Sequence, residues 1–238
     1  MAPGLALDVP AGTGIQARAL IGLGYRGVAA DLFPGPKNAD GSKLSWVQAD
    51  ANLPLPFADA SFDYVLSREG IEHLENQAGF IRECARVLKP GATLVITTPN
   101  LMHLAARLSQ FLTGQRSLRR GLVNEVQTLR GRRGRYLYHG HVFFIDYFRM
   151  RYLLRLAGFE RLGFYTDRLS PTSLALAFLV PFLYGAARFS VWASRRTARR
   201  GRKPDVPAAV VSEILAQVHS TPLLFGKRMI VVARKSSG

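Results

Sequence analysis

A glycine-rich turn near the start of the chain has the residue types that a nucleotide-like ligand requires. Residues 8–14 read Asp-Val-Pro-Ala-Gly-Thr-Gly and close the apolar segment Leu5–Val9. Gly12 and Gly14 lack a Cβ, so the backbone can approach a ligand that a side chain would block. The spacing is not the full G-x-G-x-x-G of a dinucleotide site, so the turn alone indicates a ligand only weakly.

Two aspartates extend this pattern. Asp31 closes the apolar segment Arg26–Ala30, and Asp50-Ala51 follows Leu44–Gln48. A carboxylate at the end of a second strand can accept the hydrogen bonds of a ribose diol, and the end of the third strand is where an adenine amino group would lie. Either aspartate could instead cap a helix or close a turn, since both are common roles for this residue.

Histidines are the candidates for acid–base chemistry. His73 follows the apolar segment Phe62–Leu66, and His139 and His141 precede the helical pattern Asp146–Ala157. Neutral imidazole is available near pH 7, so each could accept a proton from a hydroxyl group. Each could equally be a structural histidine bonded to a backbone carbonyl. No pair has a metal-ligand spacing such as H-E-x-x-H, so the pattern predicts no metal site.

The elements that must position these residues alternate along the chain. Apolar segments with strand character are separated by helical patterns at 16–23, 78–88 and 146–157. Such alternation predicts an α/β fold with a doubly wound, mostly parallel sheet and right-handed crossovers. The predicted strands are Leu5–Val9, Arg26–Ala30, Leu44–Gln48, Phe62–Leu66, Ala92–Thr97, Phe159–Tyr165 and Arg228–Ala233.

Taken in order, these segments resemble the class I S-adenosylmethionine-dependent methyltransferases, specifically the small-molecule type 11 group. The resemblance covers residues 5–165, and RMIVVARK at 228–235 looks like the last strand of that family. The matching segments are LDVPAGTG (7–14), VAAD (28–31), VQADANLPLPFADASFDYVLS (47–67), EGIEHLEN (69–76), ECARVLKPGATLVITTPN (83–100) and HVFF with LLRLAGFE (141–160).

The resemblance implies a Rossmann-like seven-stranded sheet, order 3-2-1-4-5-7-6, with an antiparallel last strand and helical insertions. It implies S-adenosyl-L-methionine as cofactor. Ser67 and Glu69, at the end of strand 4, would lie near the sulfonium and the methyl acceptor. The implied cofactor contacts are Asp8, Ala11, Gly12 and Gly14 at the methionine end, Asp31 at the ribose, and Asp50 and Ala51 at the adenine. The candidate catalytic residues are therefore His141, His73 and Glu69.

The chain departs from the family pattern in two places. The usual Gly-Cys pair before Gly-x-Gly is Pro10-Ala11 here, which stiffens the turn. The chain also begins almost at strand 1, whereas the family usually has a preceding helical segment that covers the site. We expect either a truncated start or a cover supplied by residues 101–140.

The resemblance leads to a linear division of the chain. Residues 1–100 are predicted to be the cofactor-binding half, 101–140 a helical insertion or lid, and 141–168 a helix with strand 6. Residues 169–203 combine an apolar segment with a basic run, and 204–238 hold a helix and the final strand.

Charge and apolarity mark the second half of the chain. Residues 101–238 carry 24 Lys/Arg and 6 Asp/Glu, against 8 and 10 in residues 1–100. Leu174–Ala187 is uncharged, and RRTARRGRK follows at 195–203. Pro181, Gly185 and Arg188 make a straight membrane span unfavourable, and the return of 228–233 to the sheet argues against a single crossing. An in-plane helix with basic residues on anionic head groups fits better; a hydrophobic lid or a dimer contact would also account for the segment.

These observations favour methyl transfer to a hydroxyl of a small, lipid-linked or glycan acceptor at a membrane surface. The single cysteine, Cys84, fits a reducing compartment, so we expect a cytoplasmic protein, peripheral on the inner face of the cell membrane. An alternative is an RNA methyltransferase that binds phosphates through Arg116–Arg135. The strand-4 end, Ser-Arg-Glu-Gly, lacks the Asn/Asp-Pro-Pro-Tyr/Phe pattern of nucleobase amino methylation. A non-catalytic binding protein with a cofactor fold is the third interpretation.

Overall fold

The structure is a computed structural model that describes residues 4–35, 44–117, 123–130, 136–199 and 206–237. Seven strands form one sheet: β1 (Leu5–Asp8), β2 (Arg26–Asp31), β3 (Leu44–Gln48), β4 (Phe62–Arg68), β5 (Leu88–Pro99), β8 (Phe159–Tyr165) and β9 (Arg228–Lys235). Their order across the sheet is β3-β2-β1-β4-β5-β9-β8. The predicted strand order is therefore confirmed, with β8 and β9 as its sixth and seventh strands.

Strand directions follow from the pairing. The pairs β1–β2, β1–β4, β2–β3 and β4–β5 are parallel. The last strand runs antiparallel: the Gly91 N–H donates to the Ser236 carbonyl at one end of the β5–β9 edge, and the Asn100 N–H donates to the Lys227 carbonyl at the other. All three central strands β1, β2 and β4 consequently present their carboxyl ends at one edge of the sheet.

Two of the helices between these strands begin at polar caps. In α2 (Gln77–Val87) the Asn76 side chain accepts a hydrogen bond from the Gly79 N–H, and in α4 (Tyr147–Leu156) Asp146 accepts from the Arg149 N–H. These contacts satisfy donors that the first turn of a helix leaves without partners. The remaining helix of this group, α1 (Ile15–Gly22), begins directly after Gly14.

Two segments differ from the sequence prediction. β5 (Leu88–Pro99) begins before the predicted Ala92–Thr97, so Lys89, Pro90 and Gly91 are already part of the strand. The predicted helical segment 101–140 is only partly helical. It contains α3 (Leu104–Thr113), a 3₁₀ turn (Glu125–Gln127) and a hairpin of β6 (Thr128–Arg130) with β7 (Tyr136–His139). The aromatic and β-branched residues of the hairpin favour strand, while the surrounding arginines obscure the pattern.

The chain forms two compact units. The first contains residues 1–99, 121–163 and 230–238, with the body of the sheet, and the second contains 100–120 and 164–229. The second unit holds α3, α5 (Pro171–Ala175), α6 (Val180–Arg199), α7 (Ala208–Val218) and α8 (Thr221–Phe225). The buried Asn100 amide organises part of this unit by donating to the carbonyls of Pro222, Leu223 and Gly226. No helix among the described residues is long and apolar enough to cross a membrane.

Candidate active site

A cavity of about 410 Å³ opens at the carboxyl ends of β1, β2 and β4, entirely within the first unit. Its volume lies in the range of small-molecule and cofactor pockets. It is lined by Asp8, Pro10, Ala11, Gly12, Thr13, Ile15, Gln16, Asp31, Leu32, Phe33, Asp50, Ala51, Asn52, Arg68, Glu69, Gly70, His73 and Leu74. The edge is where ligands bind in open α/β sheets, because the strand order reverses there between β1 and β4.

The glycine turn is held in place by backbone hydrogen bonds. The Ala11 N–H donates to the Ala30 carbonyl over 2.9 Å, and the Gly14 N–H donates to the Ala11 carbonyl over 2.8 Å. Gly12 and Gly14 have φ values of 55° and 74°, in the left-handed region that side chains disfavour. A Cβ built on Gly12 meets no atom within 4 Å, so the backbone of the turn faces open space.

Asp31 is bonded directly to that turn. Its Oδ2 accepts a hydrogen bond from the Gly12 N–H at 2.8 Å, and its Oδ1 accepts from the Phe33 N–H at 3.0 Å. Each carboxylate oxygen can accept a second hydrogen bond, so both retain capacity for a ligand hydroxyl. Asp31 and the glycine turn, which end neighbouring strands in the sequence, are thus in direct hydrogen-bond contact.

Asp8 is a buried carboxyl at the end of β1. Its Oδ2 accepts from the Ala17 N–H at 3.0 Å, while its Oδ1 has no hydrogen-bond partner among the described residues. Burial raises the pKa of Asp8 to about 7, because the charged form is poorly solvated there. A cationic ligand group would restore the missing partner. The residues therefore fit a cofactor that carries an ammonium group at one end and a ribose at the other.

The far end of the cavity contains the third predicted contact. Asp50 Oδ1 accepts from both the backbone N–H and the side-chain amide of Asn52, which fixes the loop after β3. Ala51 is buried beside it. Sequence reasoning did not anticipate Phe33 and Leu74, which also line the cavity. The position of Phe33 two residues after Asp31 is the signal that could have found it.

Two predicted cofactor contacts do not line the cavity. A Cβ on Gly14 would lie 2.9 Å from the Trp46 ring, so this residue packs against β3. Ser67 is fully buried, and its Oγ has no hydrogen-bond partner among the described residues. Both lie behind residues that do face the cavity.

Glu69 and Gly70 join strand 4 to the cavity wall. Glu69 has a φ of 49°, unusual for a residue with a side chain, and its N–H donates to the Thr97 carbonyl at 2.9 Å. The Thr97 hydroxyl donates to Glu69 Oε1 at 3.2 Å. A Cβ on Gly70 would lie 2.5 Å from Pro10 Cδ, so the glycine lets the two loops touch.

A cluster of one carboxylate and two imidazoles lies at this end. Ligand atoms of Glu72, His73 and His141 are all within 4.8 Å of one another. The rings of His73 and His141 meet edge to face, with centroids 4.6 Å apart. Two of the three candidate histidines, His73 and His141, are thus brought together. Glu72 was missed because a single glutamate in a 3₁₀ turn (Ile71–His73) shows no pattern in the sequence.

The environment of His73 selects a tautomer. Its Nδ1 lies 2.7 Å from the His139 carbonyl oxygen, which can only accept, so Nδ1 carries the proton. Burial lowers the pKa of His73, although the bond to that carbonyl opposes the effect. His73 is therefore a neutral imidazole near pH 7 whose Nε2 is an acceptor.

His141 has a different environment. Its Nδ1 lies 3.5 Å from Oε1 of Glu72, and its side chain is 40% exposed whereas that of Glu72 is 0% exposed. Glu72 Oε2 accepts from the Thr98 hydroxyl at 3.0 Å, which orients the carboxylate. A carboxylate behind an imidazole stabilises the imidazolium form. The same three side chains have the donor types that hold a divalent cation.

Neither His139 nor His141 is among the residues that line the cavity, and His139 has contacts of its own. Its Nδ1 lies 3.0 Å from the Thr128 hydroxyl oxygen, and its Nε2 contacts the Glu75 carboxylate. These contacts tie β7 to the loop before α2. The His139 carbonyl oxygen, which accepts the hydrogen bond from His73 Nδ1, connects His139 to the site.

Comparisons with known proteins agree with this geometry. The Methyltransferase domain of type 11 matches residues 7–96. The chain is 38% identical over 117 residues to the demethylmenaquinone methyltransferase of Corynebacterium urealyticum, covering 47% of this chain and 50% of that protein. The chain spans about half the length, or less, of the curated relatives it matches.

Solved structures share the fold. A S-adenosylmethionine dependent methyltransferase from Mesorhizobium loti has a TM-score of 0.51 and 14% identity, covering 98% of this chain and 92% of that chain. Phosphoethanolamine N-methyltransferase 2 of Haemonchus contortus, in complex with S-adenosyl-L-methionine, has a TM-score of 0.52 and 17% identity, covering 99% of this chain and 50% of that chain.

The strand order and the cavity at the reversal point define a class I S-adenosylmethionine-binding fold. Within that class, residues 7–96 match the type 11 methyltransferase domain, which agrees with the predicted family, enzyme class and cofactor.

Proposed function

We propose that the chain transfers a methyl group from S-adenosylmethionine to a hydroxyl of a small or lipid-linked acceptor at a membrane surface. The observation that supports this best is one continuous cavity, which has the glycine turn and Asp31 at one end and Glu69 and His73 at the other. The same cavity therefore contains the predicted cofactor contacts and a histidine.

The cofactor would be held by groups with complementary chemistry. Asp8 would bind the ammonium group, Asp31 the ribose hydroxyls, and Asp50 with Ala51 the adenine. When bound, the cofactor supplies a methyl group on a positively charged sulfur, and this sulfonium is already activated to leave as a thioether. The protein then contributes mainly the position of the acceptor and the exclusion of water.

The histidine cluster would handle the acceptor proton. His73 lines the cavity, and its Nε2 would accept a hydrogen bond from a donor group of the acceptor other than the reacting hydroxyl. We assign the base to His141, whose Nδ1 lies 3.5 Å from Glu72 Oε1, in preference to His73, where burial disfavours protonation. The bound cofactor would supply the methyl group to the acceptor oxygen, and His141 would accept the proton that the hydroxyl loses.

A lipid-like acceptor is favoured by the relatives and by the second unit. Several relatives are demethylmenaquinone methyltransferases. In the second unit Phe182 and Phe189 lie seven residues apart on one face of α6, and Phe178 precedes that helix in a 3₁₀ turn. Phe178 and Phe182 are 72% and 74% exposed. Arg195 and Arg196 follow on the same helix. Exposed aromatics beside arginines are typical of segments that lie in a membrane interface.

The RNA alternative rests on the arginines of 116–135, of which 118–122 and 131–135 lie outside the described residues. Its test is the same as that of membrane attachment. Vesicle flotation that is lost on deleting residues 169–203 would favour the membrane. Heparin retention that falls with salt, without any flotation, would favour RNA.

Calorimetry and a transfer assay test the enzyme itself. Titration with S-adenosylmethionine should release or absorb heat, and S-adenosylhomocysteine should compete. Hydroquinones with prenyl tails of graded length should then accept radiolabelled methyl groups, and mass spectrometry should place the label on oxygen. A cofactor-binding chain that methylates no hydroxyl compound, or that labels carbon or nitrogen, would contradict the proposed acceptor chemistry.

A further inference from the structure

A second cavity lies between α6 and α7, within the second unit. Its volume is about 620 Å³, and it is lined by Arg188, Val191, Trp192, Arg195, Arg196, Ala208, Val211, Ser212 and Leu215. The α6 residues recur at intervals of three and four, which places them along one side of that helix. Those of α7 are spaced in the same way, so two helix faces form a groove, called here the arginine groove.

The arginine groove combines positive charge with an apolar floor. Three of its residues are arginines, none is acidic, and Val191, Val211 and Leu215 supply aliphatic surface. Within the described part of the chain, none of the three arginines has an acidic partner. A cluster of unneutralised guanidinium groups repels itself unless an anion binds to it.

Aromatic rings hold two of the guanidinium groups in place. The Arg196 guanidinium lies over the Trp192 ring, 5.4 Å from its centroid, and that of Arg188 lies over the Tyr184 ring at 5.9 Å. Such stacking occupies the face of a guanidinium and leaves its N–H edge free to donate. The planar fork of N–H groups matches the oxygens of a phosphate.

The surroundings of the groove favour a lipid phosphate over a free ion. The Trp192 ring also lies against Phe189, with centroids 5.5 Å apart, so the aromatic face of α6 continues directly into the groove. A free phosphate would use the arginines but would have no use for the aliphatic floor. A head group with its first methylene groups would use both.

We propose that the arginine groove binds the phosphate head group of an anionic membrane phospholipid. Arg195 and Arg196 clamp the phosphate, Arg188 adds charge, and the aliphatic floor accepts the adjoining methylene groups. The inference deepens the proposed membrane attachment, which by itself would require only diffuse charge. Because the readout is lipid binding, it is independent of methyl transfer.

Sedimentation of the full chain with vesicles tests the proposal. Phosphatidylcholine vesicles doped with phosphatidic acid are compared with vesicles doped with oleic acid to the same zeta potential. The groove predicts tighter binding to phosphatidic acid, by about tenfold, since charge-assisted hydrogen bonds add to the shared surface charge. Equal binding to both would overturn the groove and leave membrane attachment intact. No binding to either would overturn both proposals.

Variants separate a shaped site from net charge. R195Q/R196Q should lose the preference for phosphatidic acid. R149Q/R168Q, which removes two exposed arginines that do not line the groove, should retain it. R195K/R196K keeps the charge but loses the fork, so an undiminished preference in that variant would overturn the clamp. Circular dichroism of each variant checks that the helices form.

Competition identifies the source of the phosphate. Inorganic phosphate and soluble short-chain phosphatidic acid are each added at millimolar concentration to the chain bound to phosphatidic acid vesicles. Equal displacement by the two competitors would overturn the lipid assignment in favour of a free ion. Displacement by single-stranded RNA, lost in R195Q/R196Q, would assign the groove to nucleic acid instead. The lipid assignment predicts that only the short-chain lipid competes at equal concentration.

Discussion

The two units of the molecule treat their polar groups in opposite ways. In the first unit, functional carboxylates are buried and held by backbone donors: Asp31 by Gly12 and Phe33, and Asp8 by Ala17. In the second, the charged groups of α6 are exposed and lie among exposed aromatic rings. Fixed, desolvated groups suit a small ligand of defined shape, whereas exposed arginines and aromatics suit an extended surface.

This difference sets the size of the effects that substitutions should have. A buried group whose partner is removed loses a defined interaction in a site of low dielectric constant, so the loss is large. An exposed group shares its role with its neighbours, so removing it should reduce binding only in part. If substitutions in the second unit reduced binding or rate as much as those in the first, this contrast between the two units would be wrong.

The largest effect is expected at the base. E72Q and H141Q should each lower kcat by about 10²- to 10⁴-fold, because general base catalysis contributes that much, while the Kd for S-adenosylmethionine stays unchanged. H219Q, a histidine of the second unit, is the matched control and should retain its rate. Steady-state kinetics with calorimetry separates the two quantities, and an unchanged kcat in E72Q would remove the carboxylate from the mechanism.

Chelation distinguishes a base from a metal site at the same cluster. If Glu72 acts through His141 as proposed, exhaustive treatment with EDTA and removal of the chelator should leave the rate unaltered. A rate that disappears and returns with Mg²⁺ or Mn²⁺ would instead assign Glu72, His73 and His141 to a divalent cation.

The next effect concerns the cofactor. D31A should weaken S-adenosylmethionine binding by about 1–3 kcal/mol, because it leaves ribose hydroxyls and the Gly12 N–H without an acceptor. D167A, which breaks an exposed ion pair with Arg228 in the second unit, should bind the cofactor normally. Titration calorimetry measures both. Wild-type affinity in D31A would mean that the cofactor binds elsewhere.

Asp8 makes cofactor binding sensitive to pH. Its ionised form is needed to pair with an ammonium group, and its pKa is about 7, so affinity should rise about tenfold between pH 6 and pH 8. Folding favours the protonated form. The unliganded protein should therefore lose unfolding free energy as pH rises from about 4 through 7, and D8N should not. Parallel pH profiles for wild type and D8N would contradict both expectations.

The smallest effect belongs to the exposed aromatics. F178S/F182S should weaken vesicle binding about fivefold, since each ring buries only part of its apolar area in an interface. F148S removes an exposed phenylalanine of α4 in the first unit and is the control. A loss as large as that of deleting 169–203 would mean that the segment acts as a shaped site and not as a surface.

Sequence patterns predicted what repeats in a regular way and missed what depends on tertiary contact. The strand order came from the family resemblance, and the contact of Asp31 with the glycine turn followed from strand ends that meet at one sheet edge. Glu72 could not be predicted, because its role depends on His141, which lies far along the chain. The β6–β7 hairpin was missed because short strands among arginines carry little periodic signal. The membrane and acceptor proposals stay predictions.

The contact between Pro10 and Gly70 has a consequence for how this site could change. A side chain at position 70 would collide with the proline ring, so G70A should be damaging alone and tolerated once P10G removes the ring. The two positions then form an epistatic pair. Where the family's usual glycine at position 10 is kept, residue 70 is released from this constraint, and the specificity of the acceptor end can drift without first disabling the cofactor turn.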